Sequence, residues 1–340
     1  MRKLKGNTLP MYVAAILNVV KKNSKNPLTF TALTDDCTLE FQVNSESIIP
    51  TLEYSIDGGD WQEWAESVSI PQGSRLQCRG INQDGINPGY EAFNFNYNYF
   101  VGTGKYDVSG NIMTLIDYTN PPTTMVGTFL QLFGREEGDI IDVVNAKNLL
   151  LPATTLTSDC YQRMFDNCVS LISAPELPAT VLADYCYLGM FYGCTSLTSA
   201  PELPAMELAK NCYQGMFYDC TSLISAPELP ATVLADYCYR HMFRGCTSLT
   251  SAPELPAMEL TDSCYEEMFY GCTSLTSAPE LPAMELTDSC YFNMFCECTG
   301  LTSAPELPAT ELAKYCYYSM FSGCTGLTSA PELPATALAE

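Results

Sequence analysis

The dipeptide Leu-Pro recurs with its leucine at Leu151, Leu177, Leu203, Leu229, Leu255, Leu281, Leu307 and Leu333, always 26 residues apart. Seven complete copies run from Leu151 to Glu332, and an eighth begins at Leu333. In the copy LPATVLADYCYLGMFYGCTSLTSAPE (residues 177–202) the positions that never change are Leu182, Cys186, Tyr187, Met190, Phe191, Cys194, Leu197, Ser199, Ala200, Pro201 and Glu202. Most are apolar, and a unit this short cannot bury them alone. Stacked neighbours can, so the array is expected to be a solenoid.

Within a copy, Leu182, Cys186, Met190 and Cys194 stand four apart, which predicts a short helix over 183–191. The following Thr-Ser-Leu-Thr-Ser-Ala-Pro-Glu-Leu-Pro is too rich in proline and β-branched residues for helix and reads as a short strand plus turn. One helix and one strand per copy is a leucine-rich-repeat plan, with the array about 35–40 Å long at strand spacing. The unit MF-x-gC-tsL-t-sAPeLPA-x-xLa-x-x-CY resembles the BspA-like, or Treponema-type, leucine-rich repeats of bacterial surface proteins, especially those of gut Bacteroidetes. The resemblance covers residues 151–340 and extends to Phe129, where LFGREEGDIIDVVNAKNLLLPA looks like an irregular capping copy. It implies adhesins or surface antigens. Ala-Pro-Glu stands where larger aliphatics are usual in that family, which predicts a different local strand geometry.

Fourteen of the 17 cysteines occupy the two fixed positions, from Cys160 and Cys168 to Cys316 and Cys324. Their spacing matches no zinc site. Buried reduced thiols acting as small hydrophobes are the favoured reading, with disulfides second. Cys296 stands apart at a changing position and is expected to be exposed. Glu176, Glu202, Glu228, Glu254, Glu280, Glu306 and Glu332 fall in one register. A solvated acidic edge is expected; the sharper alternative is a ladder of weak Ca²⁺ sites, since carboxylates suit hard cations. No other cofactor or metal is expected.

The ninth, twelfth, thirteenth and sixteenth places of each copy vary freely. They hold Tyr185, Leu188 and Tyr192 in one copy, Tyr218 in the next, and Tyr237, Arg240, His241 and Arg244 after that. Tyr270, Phe292 and Tyr318 continue the set. Variability inside a rigid frame argues exposure, and tyrosine and arginine are enriched where proteins meet partners. This stripe is the candidate recognition face. Its rival is a tolerant solenoid flank that binds nothing. Arg240, His241 and Arg244 form the one basic patch of the array, with His241 read as solvated.

From Leu28 to about Tyr118 the apolar period changes to two. Cys37, Leu39, Phe41 and Val43 are expected to share one face, Leu76 and Cys78 another. TLEYSIDGGDWQEW reads as a hairpin, and FNFNYNYFVG and GNIMTLI as further strands. This segment also looks like the β-rich module that often precedes such repeats. Cys37 and Cys78 are expected to point inward and meet, as free thiols or as a disulfide, and Trp61 and Trp64 are either core or a carbohydrate site. The leader carries Arg2, Lys3, Lys5, Lys21, Lys22 and Lys25 and no acid around the apolar LPMYVAAILNVV. It imitates a signal peptide, yet lacks Ala-x-Ala, and its apolar run is too short to span a bilayer. It reads as a segment that docks on a partner.

The expected fold is therefore α+β: leader 1–27, an Ig-like β-sandwich 28–118, a linker and irregular capping repeat 119–150, and a leucine-rich-repeat solenoid 151–340. With 39 acidic against 16 basic residues and a formal charge of −23, nucleic acid and membrane are poor partners. A single histidine leaves no Ser-His-Asp or Cys-His site. The expected function is non-enzymatic display and recognition, with protein or glycan on a cell surface as ligand and a structural partner for residues 1–27. A virion fibre or decoration protein is preferred over a secreted bacterial adhesin; a glycan-active enzyme using sandwich carboxylates is the rival class.

Overall fold

A computed structural model describes Ala14, Ala15, Asn18 and residues 24–64, 66–87, 97–134 and 141–335. Most of the leader, with Arg2, Lys3, Lys5, Lys21 and Lys22, lies outside the described residues. So does much of the FNFNYNYFVG stretch.

Two open sheets form the N-terminal part. The strands are β1 (Leu28–Ala32), β2 (Thr38–Gln42), β3 (Leu52–Ile56), β4 (Gln62–Glu63), β5 (Val68–Ser69), β6 (Arg75–Gly80), β7 (Tyr99–Thr103), β8 (Lys105–Asn111) and β9 (Asp142–Leu150). One sheet has the order β4-β3-β6-β1-β8-β9 and the other β5-β2-β7. They meet through Phe30 of β1 against Phe100 of β7, ring centroids 4.8 Å apart, and Phe41, the β2 partner of Phe100, packs on the same ring at 4.9 Å. The period-two pattern explains the pairing, because Leu39, Phe41, Leu76 and Cys78 alternate with half-buried neighbours. Val43, past the end of β2, is exposed, and so leaves the shared face expected for it. The expected hairpin forms as β3 and β4, turning through Asp57 and Gly58, both at positive φ. GNIMTLI is not a strand: β8 ends at Asn111, whose side chain caps a 3-10 turn over Ile112–Leu115.

β9 joins the two parts. It pairs in parallel with β8, Asn111 opposite Leu150, and a bridge from Asn145 to Ser173 ties it to the first full copy. All other strand pairs of the two sheets are antiparallel. Phe133 touches both Phe30 and Phe165, so one hydrophobic core runs from the sheets into the array.

The copies contain neither the helix nor the strand expected, and the α+β class is corrected to mostly β. Over 183–194 the backbone is a ribbon of consecutive turns. The N–H groups of Cys186, Leu188, Met190, Tyr192 and Cys194 donate to the carbonyl three residues back. Those of Tyr185, Tyr187, Gly189, Phe191 and Gly193 donate instead to Lys210, Cys212, Gln214, Met216 and Tyr218 of the next copy. Tyr185, Gly189 and Gly193 have positive φ, and so do the equivalent residues of every complete copy. A left-handed residue every fourth position is incompatible with an α-helix. It turns pairs of side chains alternately in and out. Cys186 and Tyr187, then Met190 and Phe191, point into the core; Leu188 and Tyr192 point out. On the opposite flank, single parallel bridges such as Ser199 to Ser225 replace a continuous strand. The two prolines of each Pro-Glu-Leu-Pro remove the donors that a longer ladder would need.

Two aromatic columns fill the array. Tyr161, Tyr187, Tyr213, Tyr239, Tyr265, Tyr291 and Tyr317 stack at 5.7–5.9 Å. Phe165 through Phe321 stack alongside at 5.6–5.8 Å. Phe129 and Phe133 head the columns, and their N–H groups donate to Cys160 and Met164.

Candidate functional site

All 17 cysteines are buried free thiols. This includes Cys296, only 7% exposed, which corrects the expectation of an exposed thiol. It contacts the Tyr270 and Ser322 side chains. Cys37 and Cys78 are separate thiols; Cys37 donates to the Lys105 carbonyl at 3.4 Å. Burial pushes the repeat thiols up, Cys186 and Cys238 to about 12. Nucleophilic or metal chemistry requires the thiolate, which these positions suppress.

The glutamate column is solvent-exposed throughout, Glu176 to Glu332. The Glu202 carboxyl is pushed up, first by partial burial and then by the charges of Glu228 and Glu176. Trp64 packs on Tyr54 and Phe100 at 5.5 and 5.8 Å. The Arg79 guanidinium, paired with Glu53, covers the ring of Trp61 at 3.8 Å and that of Tyr118 at 4.0 Å.

The variable places are the outward positions of the turn ribbon. Ninth, thirteenth and seventeenth places carry the left-handed residues; the twelfth and sixteenth lie between them. In the seventeenth-place column the side chains of Asn167, Asp219 and Glu297 lie over a glycine of the next copy. A Cβ on Gly193 would meet the Asn167 side chain, one on Gly245 that of Asp219, and one on Gly323 that of Glu297. The stem of Arg163 likewise lies over Gly189.

The sixteenth places form one row. Tyr192 and Tyr218 stack at 4.7 Å, and the Arg244 guanidinium lies over Tyr218 at 5.5 Å and Tyr270 at 4.2 Å. Arg163 closes the other end, 5.8 Å from Tyr192. Tyr237 lies between Lys210 and Arg240 at 5.8 and 5.7 Å. Phe292 and Tyr318 stack separately at 5.1 Å, with Tyr315 edge-on to Tyr318. Tyr185 and Leu188 are half-buried in their own columns.

The expected basic patch is neutralised. Arg240 pairs with Glu266 at 2.9 Å, His241 Nε2 lies 3.4 Å from Glu267, and Arg244 pairs with Glu267 as well. His241 is partly buried, not solvated. Burial first, then Arg240 and Arg244, lowers its pKa to about 3, so the ring is neutral at ordinary pH. His241, Glu266 and Glu267 bring three ligand atoms within 4.8 Å of one another. Both carboxylates already face guanidinium groups, however, which oppose a cation there. Sequence reading missed the two glutamates. Their signal is an Arg-His pair followed 26 residues later by Glu-Glu in the same columns.

A model of the BspA type leucine rich repeat region matches residues 143–250 and 210–335, in six copies. The chain belongs to the BspA-type leucine-rich-repeat family. No curated protein and no solved structure gives a match. BspA-type repeats are those of surface or binding proteins, typically without enzymatic activity, which agrees with the resemblance drawn from the repeat unit. Among the described residues, no helix is long and apolar enough to cross a membrane.

Proposed function

We propose that this BspA-type protein is a non-enzymatic recognition protein displayed on a surface, with the outward row of the turn ribbon as its contact face and protein or glycan as its ligand. One observation carries the reading. Inward columns repeat the same residue in each complete copy, whereas outward columns change and still assemble a continuous Arg163–Tyr192–Tyr218–Arg244–Tyr270 row. Half-buried tyrosines held by stacking lose little side-chain freedom on binding, the property that makes them effective contact residues. The two packed sheets, read as a sandwich, serve as the base from which the solenoid projects. Residues 1–27 are the docking segment. The displaying surface is that of a virion, with a bacterial cell as the alternative. The Glu176–Glu332 column is a solvated edge that keeps the array apart from anionic surfaces.

The test is retention of the full chain on arrays of cell-surface glycans and mucosal proteins, run beside a Tyr192→Ala/Tyr218→Ala/Tyr270→Ala variant. At least tenfold weaker retention of a folded variant is expected. Equal retention overturns the contact face, and turnover of a retained glycan overturns the non-enzymatic reading.

A further inference from the structure

The tyrosine row presents ring edges, not open ring faces. Tyr192 has the Arg163 guanidinium of the preceding copy over its ring at 5.8 Å and Tyr218 of the following copy stacked on it at 4.7 Å. Tyr218 has Tyr192 before it and the Arg244 guanidinium after it at 5.5 Å, and the same guanidinium lies over Tyr270 at 4.2 Å. Neighbours along the solenoid axis therefore occupy the broad faces, and ring edges with their hydroxyls turn outward. A sugar that stacks needs an open face, and the middle of this row offers none.

The row also stands above its flanks. Of the eight left-handed places beside it in the four copies from Tyr192 to Tyr270, five are glycine. Three of these lie under Arg163, Asn167 and Asp219. No side chain of another copy lies within 4 Å of the Cβ position of Gly215 or Gly271, which sit on opposite sides of the row. A ridge with space beside it suits the side-chain rows of a helix, which pack ridge into groove.

The interval decides between helix and strand. Core columns repeat at 5.6–5.8 Å per copy. One α-helical turn rises about 5.4 Å, whereas a strand returns a side chain to the same face about every 6.7 Å. Over the three intervals from Tyr192 to Tyr270 a helix slips by about 1 Å and a strand by about 3 Å, half an interval. Charge narrows the choice further. Places eight to seventeen of the seven copies hold ten acids and five bases. Arg163, Arg240 and Arg244 are already paired with Asp166, Glu266 and Glu267. The face is thus acidic around the ridge, which favours a cationic partner.

We propose that the ligand of the tyrosine row is a basic amphipathic α-helix of a protein partner, laid along the solenoid axis with one turn per copy. Its apolar stripe at i, i+4, i+7 and i+11 straddles Tyr192, Tyr218 and Tyr270, and its lysines or arginines face the flanking carboxylates. The inference rests on reading this row as the contact face.

Fluorescence anisotropy of the full chain with labelled synthetic peptides of about 18 residues, five helical turns, tests it. One peptide places leucine at helical period among lysines, a second alternates the same residues at strand period, and a third is the helical pattern with glutamate for lysine. The first should bind at least tenfold more tightly than either of the others. A Tyr192→Ala/Tyr218→Ala/Tyr270→Ala variant with unchanged circular dichroism should bind it at least tenfold more weakly. Equal affinity for the helical and alternating peptides, no binding of the helical one, or binding undiminished in the variant each overturn the proposal. Neutral oligosaccharides are run beside the peptides. If they bind in a tyrosine-dependent way and the helical peptide does not, this ligand is removed and the contact face stands. If no probe depends on the tyrosines, the contact face falls as well.

Discussion

The Cys194 thiol donates to the main-chain carbonyl of Phe165, 3.1 Å away in the preceding copy. The relation repeats from Cys220 and Phe191 to Cys324 and Phe295, at 2.9–3.1 Å. Each of these carbonyls already accepts the N–H three residues on in its own copy, as Phe165 does from Cys168, and the thiol adds a second bond to it from the apolar interior. Serine would make a stronger bond there at a higher desolvation cost; alanine would leave the carbonyl with its backbone partner alone.

The thiols should therefore be inert in the folded protein. Native protein treated with a disulfide reagent is expected to release less than one equivalent per chain within minutes, against 17 after denaturation. Intact mass should match the fully reduced chain. Fast stoichiometric labelling at Cys296, or a mass lower by paired hydrogens, would contradict the structure.

Glycine at the seventeenth place leaves room for the side chain of the preceding copy, which must otherwise turn away. Gly245→Ala puts a Cβ against Asp219 at a backbone φ of 73°. Gly271→Ala carries the same left-handed strain, but its Cβ meets only Gly245, 4.0 Å away. The first should cost about 1 kcal/mol for conformation plus a clash, and the second only the conformational part. Urea unfolding of the two variants should rank them in that order.

The aromatic columns set the stability of the array. Phe217→Ala in the middle of its column should destabilise by about 3–5 kcal/mol. Phe321→Ala, in the last complete copy where the ring is only partly buried, should cost clearly less. Equal effects in denaturant melts would mean that the copies do not act through nearest neighbours.

His241 makes the array sensitive to acid. Its folded pKa of about 3 lies below the ordinary value of 6.5, so between those values the unfolded chain binds a proton that the folded chain does not. Stability from this group falls as pH drops through that window, by at most about 1.4 kcal/mol per pH unit. Glu202 and Asp219, whose carboxyls are raised, act in the opposite direction. Comparing parent and His241→Gln melts at pH 7 and 5 cancels those shared contributions. The variant should lose less stability on acidification.

Much of this was legible beforehand. The 26-residue period announced stacked copies, and the invariant Tyr187, Phe191 and Cys194 columns are the buried ones. The alternation of Leu76 and Cys78 marked a strand. Helix over 183–191 was the error, and the spacing itself held the warning. In an α-helix, residues spaced strictly by four drift by about 40° at each step, so Leu182 and Cys194 would end about 120° apart. Glycine, asparagine and aspartate at many ninth, thirteenth and seventeenth places were the second sign, because these residues tolerate the left-handed region.

The sequence by itself determined the period, the buried columns and the outward places, because burial of apolar side chains is written into which positions never change. Only the tertiary structure decided how the backbone joins them. Half of the N–H groups of the ribbon find their acceptors in the following copy, as Tyr187 does at Cys212, and no property of a single 26-residue unit supplies that acceptor. The same holds for the recognition row. Arg244 covers Tyr218 and Tyr270, and His241 meets Glu267, through contacts between residues about 26 positions apart, made only when the copies stack.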